Sequence, residues 1–255
     1  MVSLEKDASL QVDPAGALKK SFISTDAALV ITEMNYMTSG CTCVAVYVRD
    51  TKLYVANVGD SRVVMAYKPL LNAGDSSSSS SSASAELSLV AKNLSRDHKP
   101  DDPIEMERIV RMGGFVCPPQ EEGLSARVYL DPDFTMIGLA MGRSIGDHAV
   151  KSVGVIADPE VLEFDVDPAD QFMIMASDGV WEFISSQEAV DIVSKNLQEG
   201  APAACQALIE EAASRWRDFE GDYRDDVRHN NEQCLQPLYN VMMMMIMTVW
   251  FCIIQ

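Results

Sequence analysis

The residues predict an α+β chain, and three observations carry that prediction. Gln171 to Glu182 reads Q-F-M-I-M-A-S-D-G-V-W-E, a short bounded apolar run suited to a strand buried on both faces, ending in a Ser-Asp-Gly turn. Leu53 to Tyr67 reads L-Y-V-A-N-V-G-D-S-R-V-V-M-A-Y, two strand-like runs that meet at Gly59, Asp60, Ser61 and Arg62. Between and around them, apolar residues return with helical spacing in several stretches. With 255 residues, 47% of them hydrophobic, the chain has enough material for one sizeable core.

In chain order, residues 1–16 are polar and poorly patterned, and read as a flexible lead-in. Ala17 to Met37 reads as a helix with Leu18, Phe22 and Leu29 on one face and Asp26 and Glu33 on the other. Cys41 to Arg49 and Leu53 to Val58 follow as strands joined through Asp50, Thr51 and Lys52. Residues 72–85, with seven consecutive serines, cannot bury a core and read as a disordered loop. Glu86 to Ser95 returns as a strand, and Arg96 to Pro100 as a turn.

Asp102, Pro103 and Glu105 open a helix whose expected buried stripe is Met106, Ile109 and Val110, with Gly113 and Gly114 as its stop. Phe115 to Asp133 is loop and short strand, and Asp158-Pro159-Glu160 breaks the chain before another strand. Ser185 and Glu188 form a capping box for a helix that points Ala189, Ile192 and Val193 inward and stops at Gly200. From Pro202, the residues Cys205, Leu208, Ile209, Ala212 and Trp216 share one apolar face. Trp181 and Trp216 are core candidates.

Charge and cysteine usage exclude some classes of function. A formal charge of −18 and a pI near 4.4 argue against a nucleic-acid or anionic-membrane surface, which phosphate backbones would require to be basic. The six cysteines form no C-x-x-C pair or zinc-like spacing. Cys41 and Cys43 share a face of a strand as small apolar residues, and free thiols suit a reducing compartment. The first residues lack a secretory pattern, which leaves a cytoplasmic or nuclear location as the expectation. The apolar run Val241 to Ile254 is shorter than the roughly 20 residues of a membrane span, so no anchor is expected.

Asp178 is placed where a buried strand emerges, Asp60 where two strands meet, and Asp225 in the stretch E-G-D-Y-R-D-D-V just after a helix. Alone, an Asp-Gly pair after a strand is an ordinary turn in which Asp bonds its own backbone. Three separated acidic turns on one apolar scaffold suit instead an all-oxygen site for magnesium or manganese.

The chain resembles the metal-dependent protein serine/threonine phosphatases of type 2C. The resemblance rests on Ser39 to Val46 (S-G-C-T-C-V-A-V), Val55 to Arg62 (V-A-N-V-G-D-S-R), Asp97 to Pro100 (D-H-K-P), Glu107 to Val116 (E-R-I-V-R-M-G-G-F-V), Leu139 to Asp147 (L-A-M-G-R-S-I-G-D), Ala176 to Trp181 (A-S-D-G-V-W) and Gly221 to Asp226. It implies a four-layer α/β/β/α sandwich of two mainly antiparallel sheets flanked by helices, here incomplete at both ends. It also implies hydrolysis of phosphoserine and phosphothreonine in proteins with Mg2+ or Mn2+. By this resemblance Asp178 and Asp225 are metal ligands and Asp60 helps Asp178 hold a weaker cation. Arg143 to Asp147 lies beside the cleft, with Asp147 bonding backbone, and His98 belongs to a segment that is structural or near the substrate rim.

The departures are at the ends. The family's D-G-H-G segment, with its metal-bridging Asp and its His, and the phosphate-binding Arg ahead of it have no match, so no catalytic residue is assigned. One β layer is then expected to carry an unfilled edge. After Val227 the family's last strand is replaced by a divergent tail, residues 228–255. The expectation is a partial phosphatase domain over 17–227 with impaired turnover. The alternative is a non-catalytic phosphatase-like module that binds phosphoproteins or a partner phosphatase.

Overall fold

The computed structural model describes residues 4, 7–32, 35–69, 88–119, 124–220 and 242–245. In order these form α1 (Pro14–Leu29), β1 (Gly40–Cys41), β2 (Cys43–Arg49), β3 (Lys52–Val58), β4 (Arg62–Tyr67), β5 (Val90–Asn93), α2 (Pro103–Arg111), β6 (Phe115–Cys117) and β7 (Arg127–Tyr129). There follow β8 (Ile145–Gly146), β9 (Glu160–Asp165), β10 (Asp170–Ala176), α3 (Asp178–Trp181), α4 (Ser186–Asn196), α5 (Ala201–Glu220) and β11 (Met242–Met245). Antiparallel sheets flanked by helices are the prevailing pattern, as expected. The described residues fall into two compact units, the first made of those up to 62 and 95–165, the second of 63–94 and those from 166 on.

The first unit is built on an antiparallel sheet of order β2-β3-β9, with Val46 opposite Val55 and Val55 opposite Leu162. Among the described residues β2 and β9 are the edge strands of this sheet. Arg49 pairs with Lys52, which leaves Asp50 and Thr51 as a two-residue turn, and Asp50 takes φ 53° as such turns require. Tyr54, Ala56 and Val58 pack against Leu18 and Phe22 of α1. That helix starts earlier than its apolar pattern suggested, because Asp13 accepts a hydrogen bond from the Gly16 N–H (3.0 Å) and Pro14 occupies the first turn. It also ends at Leu29, well before Met37. Leu10, inside the lead-in, is buried in a short 3-10 turn.

The face of α2 differs from the expectation. Ile109 is buried, but Met106 and Val110 are 41% and 58% exposed, and the residue that turns inward with Ile109 is Glu105, 0% exposed. Four residues separate Glu105 from Ile109, so both lie on one helical stripe. Ion pairing rather than hydrophobicity chose this face.

The second unit holds a four-stranded sheet of order β11-β10-β4-β5. Its β4–β5 pair is antiparallel, while Met242–Met245 runs parallel to β10, so a short strand stands where the resemblance left none. Phe172 to Ala176 is buried throughout, at 0% to 3% exposure, as a strand covered on both faces must be. Ala189, Val190 and Val193 of α4 and Cys205, Leu208 and Ala212 of α5 close over Phe172, Ile174, Val64 and Ala66. The capping box at Ser185 and Glu188 forms, and Gly200, at φ 102°, ends the 3-10 turn after α4.

Candidate functional site

Asp60 follows the most buried strand of the first unit. From Leu53 to Val58, β3 is covered, and the chain then turns at Gly59 with φ 101°, where a side chain would run into Thr42. The turn is clasped by Arg96 to Lys99, four successive residues from far along the chain. Asn57 Nδ2 donates to Gly59 O (3.1 Å) and to Arg96 O (2.9 Å). Arg62 makes a two-point contact with Asp97, at 2.9 and 2.7 Å. The His98 N–H donates to Gly59 O (3.0 Å), the Gly59 N–H donates to His98 Nδ1 (3.1 Å), and Lys99 Nζ donates to Asp60 Oδ2 (2.6 Å).

His98 is wholly buried. Burial first, and the Arg143 guanidinium second, push its imidazole down to about 3. It is a neutral acceptor for the Gly59 turn near pH 7, a structural task.

Asp178 opens α3 directly after β10. The residue is half-buried, and the backbone on either side is pinned by indoles: Trp181 Nε1 donates to Ala176 O (2.8 Å) and Trp216 Nε1 to Gly179 O (2.7 Å). Both tryptophans are buried, as their spacing implied, and Phe183 meets Trp216 edge-on at 4.8 Å. Their hydrogen bonds to the Asp178 turn are a role that apolar spacing does not reveal.

Arg143 is not available as a phosphate ligand. Its Nη2 and Nε reach the buried Glu105 carboxylate at 2.7 and 3.1 Å, and its Nη1 donates to Asp158 O (3.0 Å). Arg108 joins the same carboxylate at 2.5 Å and Arg96 at 3.3 Å. Burial by itself raises the Glu105 pKa, yet the Arg143 and Arg108 hydrogen bonds outweigh it and hold the carboxyl at about 2.

The expectation for Asp147 is corrected. Its carboxylate does not cap backbone: both oxygens are buried without a hydrogen-bond partner among the described residues, against Gly40. Asp26, placed on the outer face of α1 by spacing alone, takes that part by accepting from the Gly146 N–H (2.7 Å) beside His148 and Lys151. Burial raises the Asp147 pKa, with the Ser144 hydroxyl and Lys151 opposing.

Asp60 belongs to the first unit and Asp178 to the second, and Asp225 lies outside the described residues. Among the described residues no group of three or more His, Cys, Asp or Glu could hold a metal ion. The described ligands therefore do not make up a complete divalent-cation site, and Asp60 is already paired with Lys99. The serine-rich stretch 72–85 and most of the tail also lie outside the described residues. No described helix is long and apolar enough to cross a membrane.

Antiparallel sheets flanked by helices, with an aspartate at a strand-ending turn in each unit, are the features of an α+β chain of the protein phosphatase 2C type. The family model for Protein phosphatase 2C matches residues 2–217, and the chain belongs to that family. It is 39% identical over 189 residues to Probable protein phosphatase 2C 73 of Arabidopsis thaliana, covering 74% of this chain and 46% of that protein. With Probable protein phosphatase 2C 64 of Oryza sativa subsp. japonica it shares 36% identity over 222 residues, 85% of this chain and 48% of that one. The chain thus spans about half the length of the curated relatives it matches. The crystal structure of serine-threonine phosphatase 2C from Toxoplasma gondii superposes with a TM-score of 0.68 at 25% identity, over 86% of this chain and 67% of that one.

Proposed function

We propose that the chain is a metal-dependent protein phosphatase acting on phosphoserine and phosphothreonine in proteins of the cytoplasm or nucleus. Residues 17–227 form a partial phosphatase domain whose turnover is impaired in this form. The observation that carries the reading is the pair of strand-ending turns, Gly59-Asp60-Ser61 and Ser177-Asp178-Gly179, each held by hydrogen bonds from distant parts of the sequence. Such clamping suits carboxylates that must keep one direction.

In this reading Asp178 and Asp225 are metal ligands, and Asp60 joins Asp178 at a weaker cation, Mg2+ or Mn2+. Such ions, when bound, supply Lewis-acid activation of water and neutralise phosphoryl charge. The chain's own contribution is orientation: Trp181 and Trp216 fix the Asp178 turn, and His98 fixes the Asp60 turn. The reading of impairment rests on the family's D-G-H-G motif, whose bridging Asp and His find no match in these residues. His98 and His148 are engaged elsewhere.

The same features favour a second reading, a non-catalytic module that binds phosphoproteins or a partner phosphatase. Phosphate release from a phosphothreonine peptide in millimolar Mn2+ separates the two. The expected rate is far below the roughly 1–1000 s⁻¹ of well-evolved enzymes, and Asp178→Asn abolishes it. Release that Asp178→Asn leaves unchanged overturns the phosphatase reading, and release at full enzymatic rates overturns the impairment. Peptide binding without any release selects the module.

A further inference from the structure

The outer edge of β5 is closed by a side chain. Among the described residues β5 is an end strand of its four-stranded sheet, with β4 on one side. The Leu94 N–H donates to Val63 O (2.8 Å), so by the alternation of an antiparallel ladder the backbone groups of Leu89, Ala91 and Asn93 point away from β4. The Ala91 N–H donates to Gln187 Oε1 (2.9 Å), and Gln187 Nε2 donates to Leu89 O (2.9 Å). In a parallel pair, one residue donates to the carbonyl before its partner and accepts from the amide after it. The Gln187 carboxamide does both around Val90. Its second amide hydrogen goes to Asp191 Oδ1 (3.0 Å), one turn along α4, which fixes which end of the amide meets which backbone group. Beside it, the Ser186 hydroxyl donates to Asn93 Oδ1 (2.7 Å).

We propose that Gln187 is a surrogate strand residue that keeps the β5 edge from pairing with a second copy of this chain. An open edge is a template for another strand, and this one matches itself. About a two-fold axis through Ala91 the two edges run antiparallel, with Ala91 facing its own copy and Leu89 facing Asn93. Lys92, the one charged residue from Leu89 to Asn93, then lies opposite Val90, so no like charges meet. The strand itself has little defence: it carries no proline, and its register with β4 is unbroken. Protection comes from α4 instead. Ala189, Val190 and Val193 seat that helix on the core, and the Ser185 capping box fixes where its first turn begins, which delivers Gln187 to the edge.

Amide hydrogen exchange and sedimentation test this on the full chain, on Gln187→Ala and on Gln187→Ala combined with Ala91→Pro. In Gln187→Ala the Ala91 N–H is expected to exchange at least about tenfold faster than in wild type, while Leu94, bonded to β4, keeps its rate and reports an intact sheet. The same variant is expected to gain a concentration-dependent dimer at about 1 M salt, where repulsion between copies of charge −18 is screened beyond about 3 Å. Ala91→Pro removes an N–H that β4 does not use, and returns the double variant to wild-type sedimentation. An unchanged Ala91 rate overturns the cap. Faster Ala91 exchange without added association overturns the protective role, and an association that survives Ala91→Pro does not run through this edge and overturns the proposal. Loss of Leu94 protection as well makes Gln187 a general support of the sheet, which overturns it too.

Discussion

Glu105→Gln removes one charge from the centre of the first unit and leaves three guanidiniums around an amide. Glu105 is 0% exposed, so solvent does not screen the loss. Its carboxyl is held at about 2 against an ordinary value of 4.5. At 1.36 kcal/mol per pKa unit this depression is worth ~3 kcal/mol near neutrality. Breaking a buried pair by removing one partner costs a similar ~3–5 kcal/mol.

The sign is that of a depressed acid: the stabilisation is complete above pH 4.5 and is lost as pH falls through about 2. Thermal melts of wild type and Glu105→Gln from pH 7 down to pH 3 read it directly. A deficit of ~3 kcal/mol corresponds to a drop of about 6–12 °C for a chain of this size. That gap should be constant from pH 7 to about 5 and narrow below. A gap under about 1 kcal/mol, or one that does not narrow in acid, would refute the argument that Arg143 and Arg108 overcome the desolvation of Glu105.

Two further outcomes follow from packing. Gly40→Ala places a methyl against the Asp147 carboxylate and 2.8 Å from Ile145 O, so urea unfolding should show a loss of about 1–3 kcal/mol, whereas wild-type stability would mean that Asp147 swings clear. Burial first, then the Asp147 charge, push the Cys41 thiol up to about 11, and burial with Cys41 beside it pushes Cys43 to about 12. Iodoacetamide at pH 8 should therefore label both slowly in the folded chain and quickly in urea, and rapid native labelling would contradict their placement against α1.

Local signals carried much of the fold. Phe172 to Ala176 declared a strand buried on both faces because nothing polar interrupts it, and Ser185 with Glu188 declared a helix start because both partners of a capping box lie within one turn. The apolar face of α5 was equally legible, since Cys205, Leu208, Ile209, Ala212 and Trp216 repeat with the period of the helix. The reading failed where a charge took an inward position. Met106 and Val110 are as apolar as Ile109, yet α2 turns Glu105 inward because Arg96 and Arg143 from elsewhere, with Arg108 of the same helix, meet it there. The same holds for Asp26, whose partner Gly146 lies 120 residues away.

The sequence by itself determined the element types, the two carboxylate-bearing turns and the family, because periodicity, caps and ordered motifs act within a few residues. Only the tertiary structure decided which charges are spent on holding the fold. Lys99 on Asp60, Arg143 on Glu105 and the Trp216 indole on the Asp178 turn are pairings that depend on how separate segments are brought together, and no local pattern encodes the distance between them.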